Sequence, residues 1–360
     1  MRIDEDREAN ELKGIILEEH GPAESLQWKT NLPSKALSPD EVRVEVHYCA
    51  LNHLDLWLRK GGTGDKLTLP RIPGSDVAGK VVEVGEAVAH LSVGASVVLY
   101  PGQGCGHCSS CSEGRDTLCS QFQIMGYHTD GGYAQHVTVK AENAIPISVE
   151  SLREWSAVPV SYVTAWNALV TKAKLSVNDT VAIWGAAGGL GYAALSIAEG
   201  IGAKVIAIVG TDDKEEFLRK QGFTGDVLTR SDNVEQEIKK LTDRRGVDVV
   251  LDHVGKSTWN SSLRMLKKGG RLAFCGITTG AVVEMDLRYI FGKQLEIYGS
   301  WMGDRRDFYQ VVNFLSKKER YPYIYREFPL EAAAEAQEVL ESGQHVGKLI
   351  LKNSLIGGEF

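Results

Sequence analysis

The amino-acid sequence predicts an α/β protein of two domains, one rich in β-strands and one built on a doubly wound parallel sheet. Three observations support this prediction: short alternating apolar runs before residue 150, a regular succession of helical and apolar segments after residue 156, and a glycine-rich turn early in that succession. A chain of 360 residues, 43% of them hydrophobic, is also longer than most single domains. We expect residues 1–155 and 302–360 to form the first domain and residues 156–301 the second.

The first domain is predicted from short runs in which apolar and polar residues alternate. Residues 41–46 (EVRVEV) and 79–84 (GKVVEV) have this pattern, and Gly and Pro mark the turns between such runs. Near the end of the chain, helices are predicted at residues 305–318 and 330–342, followed by a last strand at 347–351. We expect this last strand to return to the first domain.

The second domain is predicted from short apolar strands that alternate with helical stretches. The strands are expected at residues 180–184, 204–209, 247–252, 270–274 and 294–298. Such an alternation is typical of a parallel sheet with helices on both faces.

Composition limits the classes of partner. The formal net charge is −7 and the Lys and Arg residues are dispersed along the chain, which argues against a nucleic-acid partner. No segment approaches 18 uninterrupted apolar residues, and the acidic first 14 residues lack the apolar core of a signal peptide. We therefore expect no membrane association, a cytoplasmic location and a small-molecule substrate.

The glycine-rich turn carries the clearest signal for a cofactor. Residues 181–194 (VAIWGAAGGLGYAA) run from an apolar strand through the turn into a helix of small residues, and a second strand follows at 204–209. Backbone N–H groups at such a helix start bind pyrophosphate. Gly188 would let the backbone approach the phosphates, and Gly191 would let the helix pack close to the strand; Gly189 and Leu190 lie between them. The sequence predicts a dinucleotide site here.

The residues at the end of the second strand indicate which dinucleotide binds. Gly210 and Thr211 leave room and a hydroxyl donor for a 2′-phosphate, and Lys214 or Arg230 would supply positive charge. The acidic residues 212 and 213 oppose the binding of a 2′-phosphate. On balance, the segment favours NADP(H) over NAD(H).

Four of the six cysteines form a second strong motif. They are separated by two, two and seven residues, a spacing that can close a tetrahedral thiolate site around Zn²⁺: Cys105, Cys108, Cys111 and Cys119. Because sulfur fills all four positions, such a zinc is structural. A redox cluster or a disulfide pair is the less favoured alternative. The isolated Cys49 and Cys275 are expected to be core residues.

The order of motifs resembles that of a known superfamily. Residues 52–55 (NHLD), 72–79 (IPGSDVAG), the four-cysteine segment and 186–191 (AAGGLG) are together similar to the medium-chain dehydrogenases and reductases, which comprise zinc-containing alcohol dehydrogenases and quinone oxidoreductases. The resemblance implies a GroES-like catalytic domain, a Rossmann domain and an active site in the cleft between them. It also implies a homodimer or homotetramer built on the last Rossmann strand, near residues 295–301.

The sequence departs from the alcohol dehydrogenase pattern where that family binds its catalytic zinc. Asn52 replaces a cysteine, Ser75 and Asp76 replace a His-Glu pair, and Val160 occupies a later cysteine position. Neutral Asn, Ser and Val are poor zinc ligands. These motifs are instead similar to zinc-free quinone and enone reductases, which implies hydride transfer to an electron-poor carbon. Asn52 is the first candidate donor to the developing oxyanion.

Two other functions remain open. His53, Asp55, Asp76 and His128 would together form a remodelled catalytic metal site, which would make the protein a zinc-dependent alcohol or aldehyde dehydrogenase. Without that metal, His53 and His128 are further candidate donors beside Asn52. The second alternative is a non-catalytic nucleotide sensor, although the retained phosphate-binding glycines do not favour it.

The resemblance also assigns cofactor contacts outside the glycine-rich turn. By their positions in the family pattern, these are Thr164, Val254, Gly276, Ile277 and Lys348.

Overall fold

The computed structural model describes residues 11–147, 151–230, 233–317 and 321–355. The chain forms two units: the first runs to Val160 and resumes at Asp304, and the second is Ser161–Gly303. The boundaries expected from the sequence were 155/156 and 301/302. Among the described residues, no helix is both long enough and apolar enough to cross a membrane.

The chain begins with the greater part of the first unit. Its strands are β1 Glu11–Leu17, β2 Leu26–Pro33, β3 Glu41–Ala50, β4 Asp76–Val84, β5 Ser96–Leu99, β6 Gly102–Gln103, β7 Gln123–Ile124, β8 His136–Lys140 and β9 Ala144–Pro146. Its helices are α1 His53–Lys60, α2 Ser109–Ser112, α3 Leu152–Trp155 and α4 Pro159–Trp166, the last of which crosses the unit boundary. Short 3-10 turns occur at Ala23–Ser25, Asp116–Leu118 and Ala141–Asn143.

The second unit follows without interruption. A π-helix at Asn167–Lys172 precedes its strands, which are β10 Thr180–Trp184, β11 Lys204–Val209, β12 Asp226–Thr229, β13 Val247–Asp252, β14 Leu266–Phe274 and β15 Glu296–Gly299. Its helices are α5 Gly189–Ile201, α6 Asp212–Lys220, α7 Val234–Leu241, α8 Trp259–Met265 and α9 Arg288–Lys293. The six strands pair in parallel in the order β12-β11-β10-β13-β14-β15.

The predicted doubly wound sheet is therefore confirmed, and its order reverses beside β10, as in dinucleotide-binding folds. Strands β10, β11 and β13 lie in the middle of the sheet with helices on both faces. Their sequences are therefore continuous apolar runs and not alternations of apolar and polar residues. Each large side chain buried there contributes about 1.5–3 kcal/mol. The short strand β12 was not predicted, and β14 begins four residues before the predicted residue 270.

The last segment of the chain completes the first unit. It comprises α10 Arg305–Ser316, β16 Ile324–Pro329, a 3-10 turn at Leu330–Ala332, α11 Ala333–Ser342 and β17 Lys348–Lys352. The helix predicted at 305–318 ends at Ser316, and residue 318 lies outside the described residues.

Strand β17 occupies an interior position in the sheet of the first unit. The sheet has the order β16-β17-β3-β4-β5-β9, with β8 also paired to β3, and β17 runs antiparallel to β3. The return of the last strand to the first unit is confirmed. Its consequence is that residues near position 350 lie beside residues near position 50, with Ile350 opposite Ala50.

Candidate functional site

The four clustered cysteines meet in one place in the first unit. Their sulfur atoms all lie within 4.8 Å of one another, and Cys105 Sγ is 4.0 Å from Cys111 Sγ. A tetrahedral zinc with Zn–S bonds of about 2.3 Å needs sulfur separations of about 3.8 Å. The donor set and its spacing therefore fit a zinc ion closed to water.

Backbone geometry brings the sulfurs together. A Cβ on Gly104 would lie 2.6 Å from Cys111 Sγ, so only glycine leaves room for that sulfur. The N–H groups of Cys108 and Cys105 point at sulfurs of the cluster at 3.4 Å, toward Cys105 and Cys119 respectively. Neighbouring backbone N–H groups lower the pKa of Cys105 to about 6, which favours the thiolate that binds metal.

Residues 105–119, which carry the four cysteines and are called the cysteine lobe below, are hydrogen-bonded to the start of α10. The N–H and Oγ1 of Thr117 donate to Asp304 Oδ1 at 3.0 and 2.7 Å, and the N–H of Arg305 donates to Asp116 Oδ2 at 3.0 Å. The acceptor Asp304 also caps α10, so these bonds join the lobe to the beginning of the returning segment.

The glycine-rich turn of the second unit has the geometry of a phosphate cradle. Gly188 caps the 13-residue helix α5, and its own Cβ position meets nothing closer than 3.5 Å. A Cβ on Gly191 would overlap the carbonyl of Gly185 and lie 2.8 Å from Cα of Ala186. Gly191 thus holds the helix against the strand end while the N–H groups at the helix start are available for a pyrophosphate.

Two further loops lie at the carboxyl ends of neighbouring strands in this unit. The buried carboxylate of Asp252 accepts N–H bonds from Val254 and Gly255 at 2.9 and 3.1 Å, as well as bonds from the hydroxyls of Thr258 and Ser262. These bonds fix the loop after β13. Sequence reasoning gave Asp252 no role, although a buried acid at a strand end followed by Gly is a recognisable signal.

The loop after β14 packs closely against the loop after β13. A Cβ on Gly276 would lie 2.5 Å from the carbonyl oxygen of residue 253, and a Cβ on Gly255 would lie 3.0 Å from Cα of Ile277. The predicted cofactor residues Val254, Gly276 and Ile277 are therefore neighbours at one edge of the sheet. Thr164 lies in α4 and is buried.

The end of β11 carries the residues expected to choose between dinucleotides. A Cβ on Gly210 would meet no atom within 4 Å, and Thr211 is the first residue before α6. The N–H of Arg230 donates to Val209 at 3.0 Å, which places this cation beside the strand end. Burial lowers the pKa of Lys214; the carboxylate of Asp213 opposes this shift and Arg230 adds to it. Two cations, Lys214 and Arg230, therefore lie at this strand end together with the acids Asp212 and Asp213 of the first turn of α6.

A buried polar cluster lies in the first unit where three adjacent strands meet. The ammonium of Lys348 donates to Asn52 Oδ1 at 2.6 Å, to Asp76 Oδ2 at 3.0 Å and to the carbonyl of Leu51 at 2.7 Å. Asp76 is completely buried, and Lys348 is 4% exposed. The second carboxylate oxygen of Asp76 accepts the N–H of Val160 at 2.7 Å. Sequence reasoning expected Lys348 to bind the cofactor, and that contact stays a prediction.

Asp55 adjoins this cluster through the backbone. Its Oδ2 accepts the N–H of Asn52 at 2.7 Å and the hydroxyl of Tyr133 at 3.3 Å. Burial raises the pKa of Asp55 to about 7. Among the described residues, Asp55 Oδ1 and Asn52 Nδ2 are both buried without a hydrogen-bond partner. Such atoms are uncommon, and a ligand is one explanation for them.

The two histidines of the remodelled metal site do not join the aspartates. His53 is exposed at the start of α1, and His128 Nδ1 accepts the N–H of Ile124 at 3.0 Å. In the part of the chain that the structure describes, only the four-cysteine group brings three or more His, Cys, Asp or Glu ligand atoms together as a metal site would. The structure thus assembles Asn52, Asp55 and Asp76, but not the four residues of the alternative site.

Two family models match the chain. The model of the alcohol dehydrogenase GroES-like domain matches residues 38–149, and the model of zinc-binding dehydrogenases matches residues 189–317.

Individual relatives extend these matches over nearly the whole chain. A NAD-dependent alcohol dehydrogenase of Sulfolobus acidocaldarius is 31% identical over 349 residues, which cover 95% of this chain and 99% of that protein. The crystal structure of a NAD-dependent alcohol dehydrogenase is similar with a TM-score of 0.90 and 34% identity, covering 95% of this chain and 100% of the other. A crotonyl-CoA carboxylase/reductase is similar with a TM-score of 0.89 and 25% identity, covering 97% and 90%.

Proposed function

Since the chain belongs to the medium-chain dehydrogenase/reductase superfamily that includes the zinc-containing alcohol dehydrogenases, it is a nicotinamide-dependent oxidoreductase, and we propose that it reduces quinones, enones or related carbonyls without a catalytic zinc. One similar structure is named a crotonyl-CoA carboxylase/reductase, and a crotonyl group carries the conjugated double bond of an enone. This similarity supports the substrate class.

The contacts of Lys348 carry the proposal. A catalytic zinc is held by oxygen, nitrogen or sulfur ligands, and a cation that is already bonded to those ligands competes with it. Here Asn52 Oδ1 and one oxygen of Asp76 accept the ammonium of Lys348, and the other oxygen of Asp76 accepts a backbone N–H. A lysine cation between these two residues also repels a second cation. The donor set therefore fits an organic oxyanion better than a metal.

The chain's own residues have distinct roles in this proposal. A bound nicotinamide supplies the hydride. The N–H groups at the start of α5 hold the pyrophosphate, and the loops of Val254 and Gly276 contact the nicotinamide half. In the first unit, Asn52 Nδ2 donates a hydrogen bond to the substrate oxygen as negative charge develops on it. His53 and His128 remain candidate donors to the same oxygen or to water.

We further propose NADP(H) as the preferred cofactor. Open space at Gly210 and the two neighbouring cations, Lys214 and Arg230, support a 2′-phosphate. The relatives named NAD-dependent favour NAD(H), and the acidic residues Asp212 and Asp213 do the same. The open space at Gly210, with the two cations beside it, is the basis of the choice. The four-cysteine lobe holds a structural zinc in either case.

A homodimer or larger homo-oligomer is also proposed. Strand β15 is an edge of the sheet of the second unit, and the chain between β14 and β15 has exposed large apolar side chains, including Val282, Leu287 and, at 71% exposure, Phe291. An open strand edge and exposed apolar side chains are both suited to pairing with a second copy.

A second candidate function is that of a zinc-dependent alcohol or aldehyde dehydrogenase with a remodelled His/Asp site. It is favoured by the names of relatives that are 31% and 34% identical to this chain. It requires His53 or His128 to move toward Asp55 and Asp76.

Zinc counting with an activity assay separates the two functions. Metal content is measured by plasma mass spectrometry on protein purified without added zinc, and NADPH oxidation is followed with 1,4-benzoquinone and 2-cyclohexenone. About one zinc per chain with turnover is the expected result. About two per chain, with activity lost when a chelator removes one of them, would overturn the proposal in favour of the alcohol dehydrogenase. Tight NADPH binding without turnover of any acceptor would point to a sensor.

A further inference from the structure

We infer that Lys348 is a positioning residue that fixes the orientation of the Asn52 side-chain amide, so that its NH₂ group is presented to the substrate oxygen. The inference rests on the proposed function for the identity of the substrate. It assigns Lys348 a role in the first unit that is independent of any cofactor contact.

The orientation of the amide follows from the chemistry of its neighbour. A lysine ammonium has three N–H donors and no acceptor, so the atom of Asn52 that faces it must be the carbonyl oxygen. The observed separation from Nζ to Oδ1 is 2.6 Å. If the amide turned over, two donors would face each other in a buried site. Lys348 therefore removes the ambiguity between the two ends of the amide and leaves Nδ2 on the far side.

The position of the ammonium is itself fixed. Its remaining two donors are taken by Asp76 Oδ2 at 3.0 Å and the carbonyl of Leu51 at 2.7 Å. The negative charge of Asp76 compensates the buried cation. Lys348 begins β17, Asp76 begins β4, and both strands flank β3, so a continuous hydrogen-bonded sheet sets the distances. The N–H of Leu51 also donates to Leu349 at 2.9 Å.

The backbone of Asn52 is held as firmly as its side chain. Its N–H donates to Asp55 Oδ2 at 2.7 Å, and its carbonyl accepts the N–H of Asp55 at 3.0 Å. With its backbone and Oδ1 thus held, Nδ2 is a buried donor that lacks a partner among the described residues. An unpaired buried donor costs about 1–3 kcal/mol, and a substrate oxygen that accepts from it recovers this cost. The arrangement is that of a preorganised oxyanion donor.

A double-mutant cycle tests the positioning role. Because Lys348→Met alone leaves the Asp76 carboxylate buried without its cation, the variant used is D76N/K348M, in which both charges are removed together. We expect this variant to fold and to lose about tenfold to a hundredfold in kcat, with a smaller change in KM. Asn52→Ala is expected to lose about a hundredfold.

Combining D76N/K348M with Asn52→Ala shows whether Lys348 acts through Asn52 or independently of it. If Lys348 acts through Asn52, the triple variant N52A/D76N/K348M has nearly the kcat of Asn52→Ala. Losses that multiply would overturn the inference, because Lys348 would then act on the reaction by another route. Lys352→Met, on the same strand but exposed, is the matched control and should keep wild-type kcat.

A measurement that needs no turnover separates this inference from the proposed function. In protein labelled with ¹⁵N-asparagine, the side-chain NH₂ signals of Asn52 are assigned by their loss in Asn52→Asp. We expect these signals to shift and broaden in D76N/K348M and to stay unchanged in Lys352→Met. Unchanged signals in D76N/K348M would overturn the inference. If the wild type reduces no quinone, enone or aldehyde, the proposed function fails while this test still applies.

Discussion

Gly191 packs against Gly185 so closely that a methyl group on Gly191 would overlap the carbonyl of Gly185. The contact joins the first turn of α5 to the end of β10. It is the reason that the helix start, with its free N–H groups, stays at the point where the strand order reverses.

The first prediction concerns this contact. Gly191→Ala should lower the free energy of unfolding by about 1–3 kcal/mol, since overlap with backbone outweighs the helix propensity gained from alanine. It should also weaken NADPH binding. Urea unfolding and fluorescence titration measure the two effects. Gly188→Ala is the control for folding, because its Cβ would make only an ordinary contact at 3.5 Å. Equal stability of the two variants would contradict the prediction.

The second prediction concerns the cysteine lobe. Cys108→Ser should lower the zinc content from about one per chain toward zero and lower Tm by about 5 °C or more, because the metal ties residues 105–119 together. Metal analysis and calorimetry measure these changes. Cys275→Ser is the control, since this cysteine lies outside the cluster, and its zinc content should match the wild type. Full zinc retention in Cys108→Ser would refute a four-sulfur site.

The third prediction concerns the dinucleotide. Lys214→Ala should raise the Kd for NADPH by about tenfold to a hundredfold and leave the Kd for NADH nearly unchanged, because only NADPH carries the 2′-phosphate. The fluorescence of bound nicotinamide reports both constants. Lys220→Ala, at the far end of α6, is the control. If the wild type binds NADH more tightly than NADPH, the preference for NADP(H) is wrong.

The fourth prediction concerns Asp55 and pH. Its pKa is raised from 3.8 to about 7 by burial, so the folded state favours the neutral carboxyl. This contribution to stability is fully present below about pH 4 and is lost as pH rises through 7. We expect the free energy of unfolding of the wild type to fall relative to that of Asp55→Asn by about 2–3 kcal/mol between pH 5 and 8.

Urea unfolding at a series of pH values tests this pH dependence of the free energy of unfolding. Asp65→Asn provides a contrast of opposite sign, because the hydroxyl of Tyr127 lowers the pKa of Asp65. The contribution of Asp65 is present at neutral pH and is lost only as pH falls through that lowered pKa. A wild type whose stability runs parallel to that of Asp55→Asn from pH 5 to 8 would refute the raised pKa of Asp55.

The fifth prediction concerns assembly. Phe291→Glu should shift the protein toward a smaller species, since it puts a charge on the most exposed apolar side chain of the helix that precedes β15. Light scattering coupled to gel filtration gives the mass. Tyr325→Glu, which alters an exposed aromatic residue of the first unit, should leave the mass unchanged. A monomeric wild type would refute the proposed oligomer.

Local patterns were sufficient to predict most of the fold. Strands β10, β11 and β13 have the predicted bounds, because each is a short apolar run between clear turn residues. The cysteine cluster was equally predictable from the sequence, because its four cysteines lie within one stretch of 15 residues. Strand β12 was missed because DVLT is too short and too polar to stand out from its surroundings.

The polar cluster of the first unit could not be predicted in the same way. Lys348 is 272 residues from Asp76 and 296 from Asn52, and no local pattern states that their strands are neighbours. The family resemblance placed Lys348 near the active site but not beside these two residues. Their contact depends on β17 pairing with β3, which is a property of the whole sheet.

The late position of β17 in the chain has a consequence for biosynthesis. During translation, the second unit is synthesised as one continuous stretch, and nothing that follows Gly303 belongs to it. The first unit, in contrast, begins to emerge from the ribosome first and receives its interior strand last. Until residues 348–352 arrive, the part of β3 that pairs with β17, residues 48–50, has an open edge, and the carboxylate of Asp76 lacks the ammonium of Lys348. The nascent first unit therefore depends on a residue that is synthesised 272 positions after Asp76, and a ribosome that stops before this strand releases a chain with an unpaired strand edge and an uncompensated buried charge.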